Sequence, residues 1–355
     1  MSGDCGGTNT RLVLFRVKSG DATAHRGKPP EGDVVFAKKY QNASFIDKGQ
    51  GFQDICELFL KEAGGAKPLT LCLACAGGIT NNAVSFTNVG NGWSIDGASL
   101  STCLGIEKVK LINDFEAQGY GLLTLGDHEV TQLNKGVKKP GAPIACVGAG
   151  TGLGECYLTQ GPDGKYTCWP SEGGHAEFSP RSNLTMDLLE YLKEKFKDRQ
   201  AYPKRVSVER IVSGPGIANT YDFLRTHWAF VDHVGKDVDA AFMKAPSHEQ
   251  AVIVAKGAAK GDLVCLKAVE VFSECYGSEV GVAALKWLPY GGLYISGGLA
   301  AKNPSWVSSE AFLNAYSDKG RLSPLVKSVP LYMVKVEDTG ERGALYMAVR
   351  MLGEK

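Results

Sequence analysis

Apolar residues recur along the chain with two periods, and the switches between them outline its elements. Short runs of β-branched and aliphatic residues predict strands at Arg11 to Val17, Val34 to Tyr40, Leu69 to Ala76 and Ala83 to Thr87. Phe52, Ile55, Cys56, Phe59 and Leu60 share one helical face, which predicts a helix within Gly51 to Ala63. The β run Val109 to Ile112 gives way to a helical pattern from Asn113 to Leu123. Strand signals resume at Ile144 to Val147, Glu155 to Thr159 and Gly292 to Ser296. Leu184 to Phe196 is amphipathic, Gly261 to Ala284 reads as one or two long helices, and Glu341 to Met351 reads as a terminal helix. A β-rich hairpin unit is thus followed by an α/β unit, and the order then repeats. This predicts an α/β protein of two related lobes with a cleft between them. The crossings fall near residues 112–116 and 334–338. They give a small domain of residues 1–113 plus 336–355 and a large domain of residues 114–335.

Composition narrows the class. A chain of 355 residues suits two domains, and 44% hydrophobic residues suits a globular core. The formal net charge is +1 without a long single-sign run, which argues against nucleic-acid binding. No stretch approaches the length of a membrane-spanning helix, and a glycine-rich turn already begins at Gly3, so a cytoplasmic location is expected. The ten cysteines are scattered, many in apolar runs. Cys72 and Cys75 form the one close pair, inside a strand-like run with no second pair at zinc spacing. Reduced thiols packed as small apolar residues are expected.

Three glycine-rich turns sit against strand-like runs: Gly3-Asp4-Cys5-Gly6-Gly7-Thr8-Asn9, Gly148-Ala149-Gly150-Thr151-Gly152-Leu153-Gly154 and Ser296-Gly297-Gly298. In a hairpin tip, glycine supplies positive φ and lets backbone N–H groups approach a ligand. A plain tight turn needs no repeated glycine, threonine and aspartate. A phosphate clamp does: the N–H groups form an anion-binding nest and a carboxylate serves a metal ion. The P-loop motif is absent, and the second turn is followed by a strand where a dinucleotide-binding fold would have a helix.

Two polar clusters accompany the turns. Asn113-Asp114 stands where a β run ends and a helix begins, the place where ligands gather in α/β proteins; the plain alternative is helix capping. Glu172-Gly173-Gly174-His175 has two central glycines, which disfavours a helix and leaves a loop whose Glu and His can both address one small polar ligand. The plain alternative there is a surface turn.

In this order, Asp4-x-Gly6-Gly7-Thr8-Asn9-x-Arg11, Ile112-Asn113-Asp114-Phe115, the Gly148 to Gly154 run, Glu172 to His175, Ser213-Gly214-Pro215-Gly216 and Ser296 to Gly298 resemble the bacterial-type glucokinases of the sugar kinase/Hsp70/actin superfamily. The resemblance implies a two-lobed actin-like ATPase fold of the ribonuclease H-like kind. It also implies that ATP phosphorylates the 6-hydroxyl of glucose, the first step of glycolysis, in the interdomain cleft. Carried over by position, Asp114 matches the catalytic base. Asn113, Asp114, Glu172, His175 and Glu209 match the glucose-binding residues. Asp4, Gly6, Gly7, Thr8 and Asn9 match the first phosphate loop, with Asp4 near Mg²⁺ and holding it indirectly. Gly150, Thr151 and Gly152 match the second phosphate loop, and Ser213, Gly214, Gly216, Gly297 and Gly298 match segments lining the nucleotide. The cysteine-rich zinc motif of the repressor/ORF/kinase group is absent after His175, which favours the zinc-free glucokinases. A homodimer is expected, with glucose and ATP as partners and Mg²⁺ as cofactor. A kinase for another hexose or amino sugar, or a non-catalytic sugar sensor, is the alternative.

Overall fold

The computed structural model describes residues 1–18, 27–86, 93–199 and 205–353. Thirteen strands occur among them: β1 (Ser2–Cys5), β2 (Asn9–Val17), β3 (Gly32–Gln41), β4 (Thr70–Cys75), β5 (Ala83–Ser85), β6 (Ser94–Asp96), β7 (Lys108–Asn113), β8 (Val130–Gln132), β9 (Ile144–Ala149), β10 (Leu153–Gln160), β11 (Tyr166–Ser171), β12 (Gly292–Ser296) and β13 (Leu331–Val334). Thr87 of one expected strand and residues 354–355 of the expected C-terminal segment lie outside the described residues. The chain forms two compact units, Met1–Val130 with Tyr166–Pro170 and Val336–Lys355, and Thr131–Lys165 with Ser171–Lys335.

The first unit is built on a sheet of order β3-β2-β1-β4-β7. β1 pairs antiparallel with β2 and parallel with β4, and β4 pairs parallel with β7. β1 is only four residues long, but the Met1 ammonium donates to the Thr70 carbonyl at 2.8 Å and ties its start to β4. Every residue of β4 is buried, as a parallel strand covered on both faces requires. Leu71, Leu73 and Cys75 pack into a core with Phe52, Ile55, Cys56 and Phe59 of the helix Phe52–Glu62. Thr70, one residue out of step, donates instead to the Ala348 carbonyl of the C-terminal helix Thr339–Leu352.

That terminal helix also packs on the helix Asp114–Leu122. The sequence pattern assigned the latter to the second domain, but here it belongs to the first unit. Glycine explains the crossing. A Cβ on Gly121 would lie 1.9 Å from the Thr339 carbonyl oxygen, and one on Gly343 would lie 1.7 Å from that of Ala117. The two backbones meet where neither helix carries a side chain.

The second unit repeats the strand logic. Its strands run β10-β9-β12-β13-β8, with β9 antiparallel to β10 and parallel to β12, and β12 parallel to β13. The expected long helical region is one helix, Leu263–Trp287, started by the Asp262 carboxylate accepting from the Cys265 N–H. Gly277 lets it approach the helix Glu310–Ser317, since a Cβ there would stand 2.1 Å from the Phe312 carbonyl oxygen. Tyr276, fully buried on the same helix, donates to the Val147 carbonyl and accepts from the Ala149 N–H at the end of β9. All ten cysteines are free thiols, and only Cys103 is exposed.

These crossings set opposing effects against each other. Gly343→Ala gains up to about 1 kcal/mol of helix propensity, whereas overpacking against a fixed carbonyl costs about 1–3 kcal/mol. The variant is expected to unfold at lower urea than the parent; an equal or higher midpoint would show that the two helices can part without cost.

Candidate active site

In the first unit, the β1–β2 tip is closed by the Gly6 N–H donating to the Asn9 carbonyl at 3.0 Å. Gly6 does not adopt positive φ, and neither do Gly150 and Gly152 at the second tip, contrary to the expectation from hairpin chemistry. Glycine serves space there instead. A Cβ on Gly6 would meet nothing closer than 3.7 Å and one on Gly150 nothing within 4 Å, so both tips are left open on that side. Of the three turns, only Gly297 combines positive φ, +91°, with a blocked Cβ position, 2.6 Å from the Ala149 carbonyl oxygen.

The first tip is held from behind by Asn42, which is buried. Its amide donates to the Gly6 and Gly7 carbonyls at 2.8 and 3.2 Å, its oxygen accepts from the Thr10 hydroxyl at 2.9 Å, and its backbone N–H donates to the Thr8 carbonyl. With those carbonyls turned inward, Thr8 and Gly7 stay exposed. Sequence reasoning missed Asn42; an Asn following a strand reads as an ordinary turn residue.

Asp4 is the next-to-last residue of the same hairpin's first strand, one position before Cys5. It opens to solvent within a confined recess, and that confinement, together with the Glu341 and Asp114 carboxylates, raises its pKa to about 6. Arg11 and Lys39 act in the opposite direction. Glu341 ion-pairs with Arg11, which occupies the arginine expected after the first loop. Asp114 is the first residue of its helix, where the N-terminal dipole favours a negative side chain. Its Oδ1 accepts from the Phe115 N–H at 2.9 Å. Asn113 is the N-cap: its oxygen accepts from Phe115 and Glu116, and its amide donates to the Gly77 carbonyl at 3.0 Å. Capping therefore accounts for the Asn113 oxygen, while exposed Asp114 is set at the C-terminal end of β7.

No group of three or more Asp, Glu, His or Cys side chains among the described residues could hold a metal ion by itself. Asp4 nevertheless has the Glu341 and Asp114 carboxylates acting on it in a confined place, and a divalent cation arriving with phosphate oxygens would favour its charged form.

In the second unit, the tip between β9 and β10 is closed by the Gly150 N–H donating to the Gly152 carbonyl at 2.8 Å. The Gly214 N–H donates to the Gly150 carbonyl at 2.8 Å. Gly214 opens a helix, Gly214–Leu224, whose N-cap is Ser213. The Ser213 hydroxyl accepts from Gly216 at 3.0 Å and donates to the Glu209 carbonyl at 2.7 Å. Ser213 is therefore fully engaged in seating Gly214. Gly216 is needed for close packing, since a Cβ would lie 2.2 Å from the Ile211 carbonyl oxygen.

Glu209 joins the tip to the polar cluster. One carboxylate oxygen accepts from the Leu153 N–H at 2.9 Å and lies 2.5 Å from where a Gly152 Cβ would stand. The other is 4.0 Å from His175 Nδ1, and His175 Nε2 is 3.8 Å from Glu172. Gly173–His175 is a single 3₁₀ turn, and the Arg205 guanidinium holds the His175 carbonyl. Glu172 and His175 are open to solvent, whereas Glu209 is mostly covered. Glu172, His175, Glu209 and Gly150 to Gly152 thus converge within one unit, as do Asp4 and Asp114 in the other.

Comparison with known proteins gives the family of the chain. The glucokinase family model matches residues 1–351. The glucokinase of Nostoc sp. strain PCC 7120 is 37% identical, with 99% of each chain covered. Among solved structures, the glucokinase of an Antarctic psychrotroph is 26% identical with a TM-score of 0.76, covering 98% of this chain and 97% of its own. The glucokinase of Balamuthia mandrillaris in complex with glucose has a TM-score of 0.73 at 22% identity, over 98% of this chain and 92% of its own, and speaks to the fold alone. The fold is the two-lobed actin-like one, and the chain belongs to the glucokinase family.

Proposed function

We propose that this protein transfers the γ-phosphoryl group of Mg-ATP to the 6-hydroxyl of D-glucose, giving glucose 6-phosphate and ADP. The observation that carries the reading is Glu209, whose carboxylate braces the second glycine tip and faces His175. The proposed phosphate-binding turn and the proposed sugar-binding residues are thereby parts of one polar network. Glucose offers a ring of hydroxyls, which carboxylates and amides can pair one by one; unpaired partners then penalise the wrong sugar.

Phosphoryl transfer depends mainly on positioning and on stabilising charge. The tips present the backbone N–H groups of Gly7 and Thr8 and of Thr151 and Gly152 to the phosphates, while Asn42 and Glu209 keep the tips in shape. Asp114 orients the 6-hydroxyl and accepts its proton as the oxygen attacks. Asn113 and Glu172 pair with neighbouring hydroxyls, as do His175 and Glu209. Mg²⁺, when bound, would supply charge neutralisation at the phosphates, and Asp4 would hold it indirectly. A homodimer and a cytoplasmic location belong to the same proposal. No helix among the described residues is long and apolar enough to cross a membrane.

Asp114→Ala is expected to lower kcat by at least about 10²-fold, the scale of a positioned acid–base group, while glucose binding measured by calorimetry falls less. Near-normal turnover would leave Asp114 as a helix-start residue only. Glu172→Gln and His175→Ala are expected to raise KM for glucose about tenfold, within the range for a hydrogen bond to a charged partner, with little change for ATP. Glu209→Gln, which also disturbs the Leu153 N–H, is expected to raise KM for both substrates; a sugar-only effect would separate the tip from the cluster.

Acid sensitivity follows from Asp4. Its pKa near 6 means that kcat/KM for Mg-ATP falls as pH drops through that value. Glu341→Gln removes a neighbouring negative charge and releases Arg11, both of which lower the Asp4 pKa. The acid limb should therefore move to lower pH; an unmoved limb in the pH profile would assign it to another group.

A further inference from the structure

Glu155 is the most anomalous side chain outside the reaction itself. It lies on β10, two residues after the tip strand begins, and is completely buried. Neither of its carboxyl oxygens receives a hydrogen bond from a protein N–H or hydroxyl; the polar group that faces them is another carboxyl, that of Glu279. One of them stands 2.1 Å from where a Cβ on Gly173 would be, so the carboxyl is laid against the backbone of the Glu172 to His175 turn. The same position is 3.2 Å from the Ser171 hydroxyl, which accepts from the Gly173 N–H at 3.0 Å. Glu279 lies on the helix Leu263–Trp287, and one of its oxygens is likewise buried with no N–H or hydroxyl donor. An ionised, unpaired carboxylate in such a place would be very costly, so the groups must carry a proton or a counter-charge.

We propose that Glu155 is a positioning residue for the sugar-binding turn, and that a proton shared between Glu155 and Glu279 keeps that turn packed in its binding form. Gly173 belongs to this device as much as the acids do, because any larger residue would displace the Glu155 carboxyl from the turn. Loss of the shared proton leaves two buried like charges facing each other behind Glu172 and His175. The turn then moves away from Glu155, and the two side chains it carries lose their places at the sugar.

The charged surroundings agree. Burial, then the Glu279 charge, raise Glu155 to about 8. Lys286, about two turns beyond Glu279 on the helix, acts against this, and Tyr276 on that helix also feels the Glu155 charge. Burial raises Glu279 as well, opposed by Lys286 and by Lys319. Lys319 is itself lowered to about 8, chiefly by burial. The sign is that of an acid with a raised pKa: Glu155 is neutral below about 8 and becomes charged as the pH rises through it.

The inference rests on the proposal that the Glu172 to His175 turn binds glucose. The test is glucose Kd by calorimetry, with kcat and KM, at pH 7 to 9.5 for the parent protein and for Glu155→Gln, the neutral isostere. The parent is expected to lose affinity several-fold above about pH 8 with kcat little changed. Glu155→Gln is expected to bind within about twofold of the parent at pH 7 and to stay flat to pH 9.5. An affinity of the parent that does not change with pH overturns the proposal, whether or not the variant folds. An alkaline loss that persists in Glu155→Gln also overturns it and assigns the effect to Lys319. Absence of glucose binding at every pH removes the functional reading itself, and this proposal with it.

Discussion

A hairpin tip made of glycine has no side chains with which to hold its own shape. Each unit of this protein carries one such tip, and both take their form from groups that reach in from elsewhere in the same unit. Asn42 turns the Gly6 and Gly7 carbonyls inward in the first unit. In the second, Glu209 grips the strand start after the tip, Gly214 binds the tip carbonyl, and Tyr276 fixes the last residues of β9. Each brace occupies a backbone group on the inner side, and the outward N–H groups are left for an anion. The long buried helix that carries Tyr276 is thereby part of the site although it is remote from it in sequence.

Strand and helix positions were legible because burial imposes its period on the sequence. The helix starting at Asp114 and the terminal helix stand within two residues of where the apolar pattern put them. Their partnership was not legible, because it depends on Gly121 and Gly343 facing each other's backbone, and no local pattern records a meeting of residues so far apart in the chain. The expected boundary after Asn113 failed for that reason: a change of period marks the end of an element and says nothing about which core the next one joins.

The candidate site was legible as a set of residues and less so as a division of labour. Asp4 and Asp114 lie near each other in the first unit, and Glu172, His175 and Glu209 gather in the second. Ser213 and Gly216 turned out to serve capping and packing, since a hydroxyl buried at a helix start satisfies the backbone first. Positive φ was the wrong reason for the glycines at the hairpin tips, where open space decides, and the right one for Gly297. Asn42 and Glu155 carry no sequence signal at all. One is a residue after a strand and the other a charge within an apolar run, and only their neighbours in space give them meaning.

The first unit also has a consequence for synthesis on the ribosome. Its sheet starts with β1 and β2, yet one face of β4 is covered by the helix Thr339–Leu352, whose Ala348 is made 278 residues after Thr70. Until those residues emerge, Thr70 lacks its acceptor and an apolar sheet face stays wet, whereas the residues of the second unit are all available by Lys335. The later half of the chain can therefore fold before the earlier half is complete, and a nascent chain stalled before Thr339 presents its opening strands to chaperones, or to other unfinished copies of itself, for as long as the stall lasts.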